Sequence, residues 1–160
     1  MRPSELKESI RARIKQGIEG DLMSLYVTGP PGIGKSSILE AVAKEMGVGF
    51  VDMRLLLCDP TDLKGIPFPD IESRTMFWLP PGTLPLSING HRNNMPEKGI
   101  LLFDDMPTAP PILQAAAYQI TTYPYALGDA KLFPGWTVMA AGNRREDRSL
   151  AHRVPPALAS

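Results

Sequence analysis

Gly29-Pro30-Pro31-Gly32-Ile33-Gly34-Lys35-Ser36-Ser37 is the stretch on which the fold turns. A glycine, four intervening residues and then Gly-Lys-Ser is the spacing of a phosphate-binding loop. Before it, Met23-Ser24-Leu25-Tyr26-Val27-Thr28 reads as a strand; after it, Ser37 to Met46 reads as a helix. A strand–loop–helix unit aims the loop's backbone N–H groups and the helix N-terminus at one point, and that point favours an anion. The glycines let the backbone adopt φ > 0 and approach a phosphate closely. The nine residues Gly29 to Ser37 are therefore the candidate nucleotide-binding set. Lys35 is expected to reach the β- and γ-phosphates, and the Ser36 hydroxyl to ligate Mg²⁺. A Gly/Pro-rich turn that happens to precede Lys-Ser is the bland alternative, and the flanking strand and helix argue against it.

Outward from the loop, strands alternate with helices. Residues 4–18 read as a helix with Leu6, Ile10, Ile14 and Ile18 on one face and Ser4 as its N-cap. The helix after the loop turns Ile38, Leu39, Val42 and Met46 inward and stops at Gly47. Val48 to Met53 reads as a second strand, and residues 58–98 are mixed, with Pro and Gly throughout. Gly99-Ile100-Leu101-Leu102-Phe103 is apolar at every position after its glycine, so it should be a central, parallel strand buried on both faces. A helix from Pro110-Pro111 to about Thr121, a fourth strand from Trp136 to Ala141 and a short helix near Ala157 follow. The fold class is α/β, a P-loop NTPase with a parallel sheet covered by helices on both faces. Residues 1–160 read as one domain.

Two strand ends carry further chemistry. The third strand runs into Asp104-Asp105. Acids at the C-terminal end of a buried parallel strand lie where such sheets bind ligands. Asp104 is the candidate second metal ligand with Ser36, and Asp105 the candidate base for an attacking water. The fourth strand ends in Gly142-Asn143, and the Asn143 amide is a candidate for positioning that water. A solvated acidic turn and a turn-forming Asn are the competing readings of these two ends. Lys35, Asp105 and Asn143 form the candidate catalytic set; Ser36 and Asp104 form the metal set.

Composition narrows the class. The chain has 160 residues, 43% of them hydrophobic, and a formal net charge of zero, so no global field steers it to nucleic acid. Cys58 is the sole cysteine and excludes an internal disulfide; with no secretory leader apparent, the expected compartment is the cytoplasm. No apolar run is long enough to span a membrane. With one cysteine and two histidines, His91 and His152, a zinc site of the usual kind is not expected.

Taken together, Gly29 to Ser36, Ile100 to Asp105, the run Ala109-Pro110-Pro111 to Gln114-Ala115-Ala116, and Ala141-Gly142-Asn143-Arg144 resemble the AAA+ ATPases. Within them the chain is similar to the MoxR-like, dynein-related group, through Cys58-Asp59-Pro60-Thr61-Asp62-Leu63-Lys64-Gly65 and Pro80-Pro81-Gly82-Thr83-Leu84-Pro85. The resemblance implies a 5-1-4-3-2 sheet, ATP with Mg²⁺, and a homo-oligomeric ring, the hexamer included, with catalytic arginines supplied by a neighbour. It departs in having Asp105 where the family usually has Glu. The family's arginine finger, fifth strand and helical lid are not identified in the 160 residues, which suggests the front part of such a module. Arg144, Arg145, Arg148 and Arg153 could serve in part, or could form a solvated loop with Glu146 and Asp147. Thr75-Met76-Phe77-Trp78-Leu79 reads as a hairpin arm, with Phe77 and Trp78 either facing a partner or packing onto the sheet. Without a fifth strand, Leu25, Tyr26 and Val27 would lie on an open edge, to be shielded by Ile10 and Ile14 or paired by another chain. The expected activity is ATP hydrolysis in a remodelling assembly acting on an unidentified protein partner. The alternatives are a nucleotide-dependent binding module with negligible turnover and a small-molecule kinase.

Overall fold

The computed structural model describes residues 2–19 and 24–143. Met23, Arg144, Arg145, Arg148, Arg153, His152 and the helix expected near Ala157 lie outside them.

The chain opens with α1 (Pro3–Ile18), followed by β1 (Leu25–Thr28), α2 (Lys35–Met46) and β2 (Gly49–Arg54). A single helical turn, α3 (Pro60–Lys64), leads into a ribbon of β3 (Ile66–Asp70) and β4 (Thr75–Leu79). Then come β5 (Leu86–Ser87), β6 (Gly99–Asp104), α4 (Pro111–Thr121), β7 (Ala126–Leu127), β8 (Ala130–Leu132) and β9 (Trp136–Gly142). Ser4 is not the cap of α1. Pro3 takes the first helical position, where its fixed φ and missing N–H are no loss. Arg2 then becomes the cap, and its N–H donates to the Glu5 carboxylate at 2.8 Å.

The central sheet runs β1-β9-β6-β2, with every pairing parallel. The interior strand β6 shows why its sequence is apolar throughout. Ile100 and Leu102 face α1 and α2, where they meet Ile10, Ile14, Leu39, Val42 and Met139. Leu101 and Phe103 face the other way, onto Leu113, Ala117 and Ile120 of α4. Each such side chain, fully buried, contributes about 1.5–3 kcal/mol of hydrophobic stabilisation. A small antiparallel sheet, β5-β8-β7, extends the α4-side core through Leu86, Leu127 and Leu132.

Ile10 and Ile14 do not shield the edge of β1. A stripe at i, i+4 spacing buries most against a flat apolar face, and both side chains lie on the face over β6 and β9. Between α1 and β1 a cleft of about 790 Å³ remains, lined by Leu6, Ser9, Arg13, Gln16 and the β1 residues up to Gly29. The β3–β4 ribbon is antiparallel, with the Phe68 and Phe77 rings 5.6 Å apart. Phe77 and Trp78 are both half-buried, whereas Ile66, Phe68, Met76 and Leu79 are exposed. Among the described residues no helix is long and apolar enough to cross a membrane.

Candidate functional site

The parallel order brings the C-terminal ends of β1, β9 and β6 side by side, and the loop after β1 crosses them into α2. The Gly29 N–H donates to Gly142 O at 3.3 Å, which fastens the start of the loop to the end of β9. Pro30, Pro31 and Ile33 form the outer turn, with Ile33 exposed. Gly32 and Gly34 have φ of +79° and +76°, in the left-handed region that an L side chain resists. Gly34 is the N-cap of α2, so Lys35, Ser36 and Ser37 occupy its first turn, beside the positive end of the helix dipole.

Lys35 does not stand free at the loop. It is 8% exposed, and its Nζ donates to Gly29 O and Pro30 O at 3.1 Å each and to Asn143 Oδ1 at 3.2 Å. A flexible ammonium beside three carbonyl-type oxygens folds inward to satisfy its three donors. The Ser36 hydroxyl donates to Asp104 Oδ2 at 2.7 Å. The other oxygen, Asp104 Oδ1, accepts the Asp105 N–H at 2.9 Å. Both oxygens of Asp104 are thus fixed, one from α2 and one from the turn after β6.

Asp105 has φ +55° and ψ +29°, a left-handed conformation. Its carbonyl accepts from the Thr108 N–H at 3.1 Å and the Thr108 hydroxyl at 2.9 Å, which holds the turn. Asp and Asn tolerate this backbone region better than other side chains with a Cβ, a local reason for aspartate here. The structure therefore brings the sequence-read residues into two hydrogen-bonded pairs at the start of α2, Lys35 with Asn143 and Ser36 with Asp104, with Asp105 adjoining Asp104 through its backbone.

Three contributors were given no role in the sequence reading of the site. Gln114 is buried on the apolar face of α4, and its Nε2 donates to Ala109 O at 2.9 Å and Pro107 O at 3.3 Å. It ties down the segment that follows Asp105; its signal was a lone amide among Leu113, Ala116 and Ala117. Gly142 admits the Tyr26 hydroxyl and the Pro107 ring, either of which any side chain there would overlap. Burial pushes the Tyr26 phenol up to about 12, so it stays neutral. Asp52, on β2 opposite Leu102, is the third. Part of its side chain reaches solvent, yet burial of the rest raises its pKa. The charges of Asp104, Asp105 and Glu40 raise it further, and Arg54 opposes them. An acid flanked by Val51 and Met53 in a strand was its only signal.

Ser36 Oγ and Asp104 Oδ2 are hard oxygen donors in contact, the donor type magnesium takes, and magnesium is commonly held by one or two protein groups with phosphates and water completing the shell. Among the described residues no group of three or more His, Cys, Asp or Glu is arranged to hold a metal.

Residues 25–65 match the sequence profile of the ATPase family associated with various cellular activities (AAA). That segment takes in the loop, α2, β2 and α3. The whole chain superposes, over 98% of its length, on a crystal structure from Cytophaga hutchinsonii of a protein provisionally named an ATPase, with TM-score 0.51 and 15% identity. The fold is α/β, a parallel sheet with helices on both faces, and it is shared with that structure. The chain spans half of that structure's length. No curated protein sequence matches it.

Proposed function

We propose that this chain binds ATP with magnesium and hydrolyses it, as a subunit of a MoxR-like remodelling assembly. The observation that carries the reading is the two hydrogen-bonded pairs Lys35–Asn143 and Ser36–Asp104, which draw the start of α2 to the ends of β9 and β6 at the mouth of one loop. The AAA-type match over residues 25–65 supports it. The loop N–H groups and the α2 N-terminus receive the phosphates, and Lys35 turns from its carbonyl partners to the β- and γ-phosphate oxygens. Ser36 and Asp104 would hold magnesium, whose charge when bound offsets that of the phosphate oxygens. Asn143 orients a water. Its oxygen forms a bond to the γ-phosphorus as the bond to the β–γ bridging oxygen breaks, and Asp105 takes its proton. The products are ADP and inorganic phosphate. The cleft between α1 and β1 opens beside Gly29 and Pro30 and has room for the base and sugar.

Phosphate release should be measured with no acceptor present, across a range of protein concentrations. Turnover that depends on Lys35 and rises in specific activity with concentration supports hydrolysis at a shared site, with ring assembly. ATP binding without turnover would favour the binding-module reading. Equal stabilisation of wild type and Lys35→Ala by Mg·ATP in thermal melts would defeat the phosphate site.

A further inference from the structure

The Lys35 ammonium spends all three donors on neutral oxygens, and among the described residues no carboxylate accepts from it. Two of the three acceptors, Gly29 O and Pro30 O, are backbone of the loop itself. The third, Asn143 Oδ1 at 3.2 Å, belongs to the end of β9 and is the only side chain among them. It also holds the group proposed to position water. The bond thus joins two functional groups at the mouth of the loop, and it cannot persist unchanged once each has turned to its substrate.

We propose that the Lys35–Asn143 bond is an autoinhibitory latch that nucleotide must open, resting on the nucleotide-binding reading above. While it is closed, Lys35 points back into the loop, where it is nearly sealed from solvent. An incoming diphosphate must open it. The exchange is favourable because anionic phosphate oxygens are stronger acceptors for an ammonium than an amide oxygen. Opening also releases Asn143, so the water-orienting amide becomes available only after a phosphate has taken Lys35. Loading and arming are then one event. The latch lowers the fraction of protein competent to bind and weakens apparent affinity by the same factor.

The test uses ADP, which lacks the γ-phosphate and is therefore blind to the water-orienting role of Asn143. Magnesium-ADP affinity is measured by calorimetry, and in parallel the nucleotide-free protein is acylated at its lysines and read by mass spectrometry, with the exposed Lys44 as internal reference. Asn143→Ala should bind ADP more tightly by about tenfold or more, the factor set by losing one hydrogen bond from a charged donor, and Lys35 should acylate faster. Asn143→Asp keeps an acceptor and adds charge, so Lys35 should acylate no faster than in wild type, while ADP binds about tenfold more weakly or worse. Unchanged or weaker ADP binding by a folded Asn143→Ala protein overturns the latch, as does faster acylation of Lys35 in Asn143→Asp, a near-isosteric change that holds even if the alanine variant fails to fold. Wild type showing no Lys35-dependent ADP binding would instead overturn the nucleotide reading itself.

Discussion

Gly17 sits in the last turn of α1, directly against Thr137 of β9. A Cβ at position 17 would lie well under 3.0 Å from Thr137 Oγ1, nearer than real Cβ contacts come. Thr137 is 2% exposed, and its hydroxyl finds no hydrogen-bond partner among the described residues. Gly17→Ala therefore overpacks a rigid helix–sheet contact, at about 1–3 kcal/mol. The better helix propensity of alanine returns up to about 1 kcal/mol in a helix interior, and less so near an end. The net loss should be about 1–2 kcal/mol. Thr137→Ala alone removes a desolvated hydroxyl, whose burial costs about 1–3 kcal/mol, together with a packed methyl worth a similar amount, and should be close to neutral. In the double variant the new methyl fills the vacated space, so stability should return to wild type or above. The coupling energy should be about 1–2 kcal/mol in favour of the pair. Urea unfolding followed by circular dichroism gives each value, and a loss of 1 kcal/mol should lower Tm by about 2–4 °C in a chain of this size. A Gly17→Ala protein as stable as wild type, or a double variant no more stable than Gly17→Ala, would refute the steric argument.

Asp104→Asn should weaken magnesium-dependent nucleotide binding, because it removes the charge that Ser36 and a cation share, whereas Asp105→Asn should leave binding intact and lower kcat. Nucleotide titrations with and without magnesium, set beside phosphate release, would reverse the two assignments if the effects were exchanged. Glu45 accepts from the guanidinium of Arg11 and from Lys7, and these two, Arg11 first, hold its carboxyl below the ordinary 4.5. A depressed carboxylate stabilises the fold above the unfolded value and loses that contribution as pH falls through the folded one. Tm of wild type should therefore fall more steeply than that of Glu45→Gln once pH drops below 4.5; parallel melting curves would show that the α1–α2 ion pairs are idle.

What the sequence made legible was what depends on short-range pattern. The strand, loop and helix around Gly34-Lys35-Ser36 were legible because the glycines and the flanking patterns are all local. The unbroken apolar run Ile100 to Phe103 could only be an interior strand, and the acid after it could only emerge at its C-terminal end. The helix on Pro110-Pro111 was legible for the same local reason. What stayed hidden depends on partners far away in the chain. Nothing near Lys35 says that its ammonium finds Asn143, more than a hundred positions on. Nothing in Asp104-Asp105 reveals that the second aspartate sits in a left-handed turn. The apolar stripe of Ile10 and Ile14 was visible, but a stripe does not name the surface it meets, and the sheet face won over the edge of β1. The tiny strands β5, β7 and β8 escaped because two or three residues carry no periodicity.

The pairing of Leu25 with Met139 and of Thr28 with Gly142 has a consequence for how the molecule comes into being. On a ribosome adding about 5–20 residues per second, β1 waits roughly 6–20 s for the strand it lies against. Until then the loop has no Gly142 carbonyl to fasten Gly29, and Lys35 has no Asn143 to hold. The loop after β1 precedes most of the sheet in the chain yet gains its last fastening only when β9 arrives. While β9 is still inside the exit tunnel, the start of that loop therefore has no strand end to hold it. In that interval Leu25 and Val27 form a bare strand, open to any helper or aggregate that recognises one.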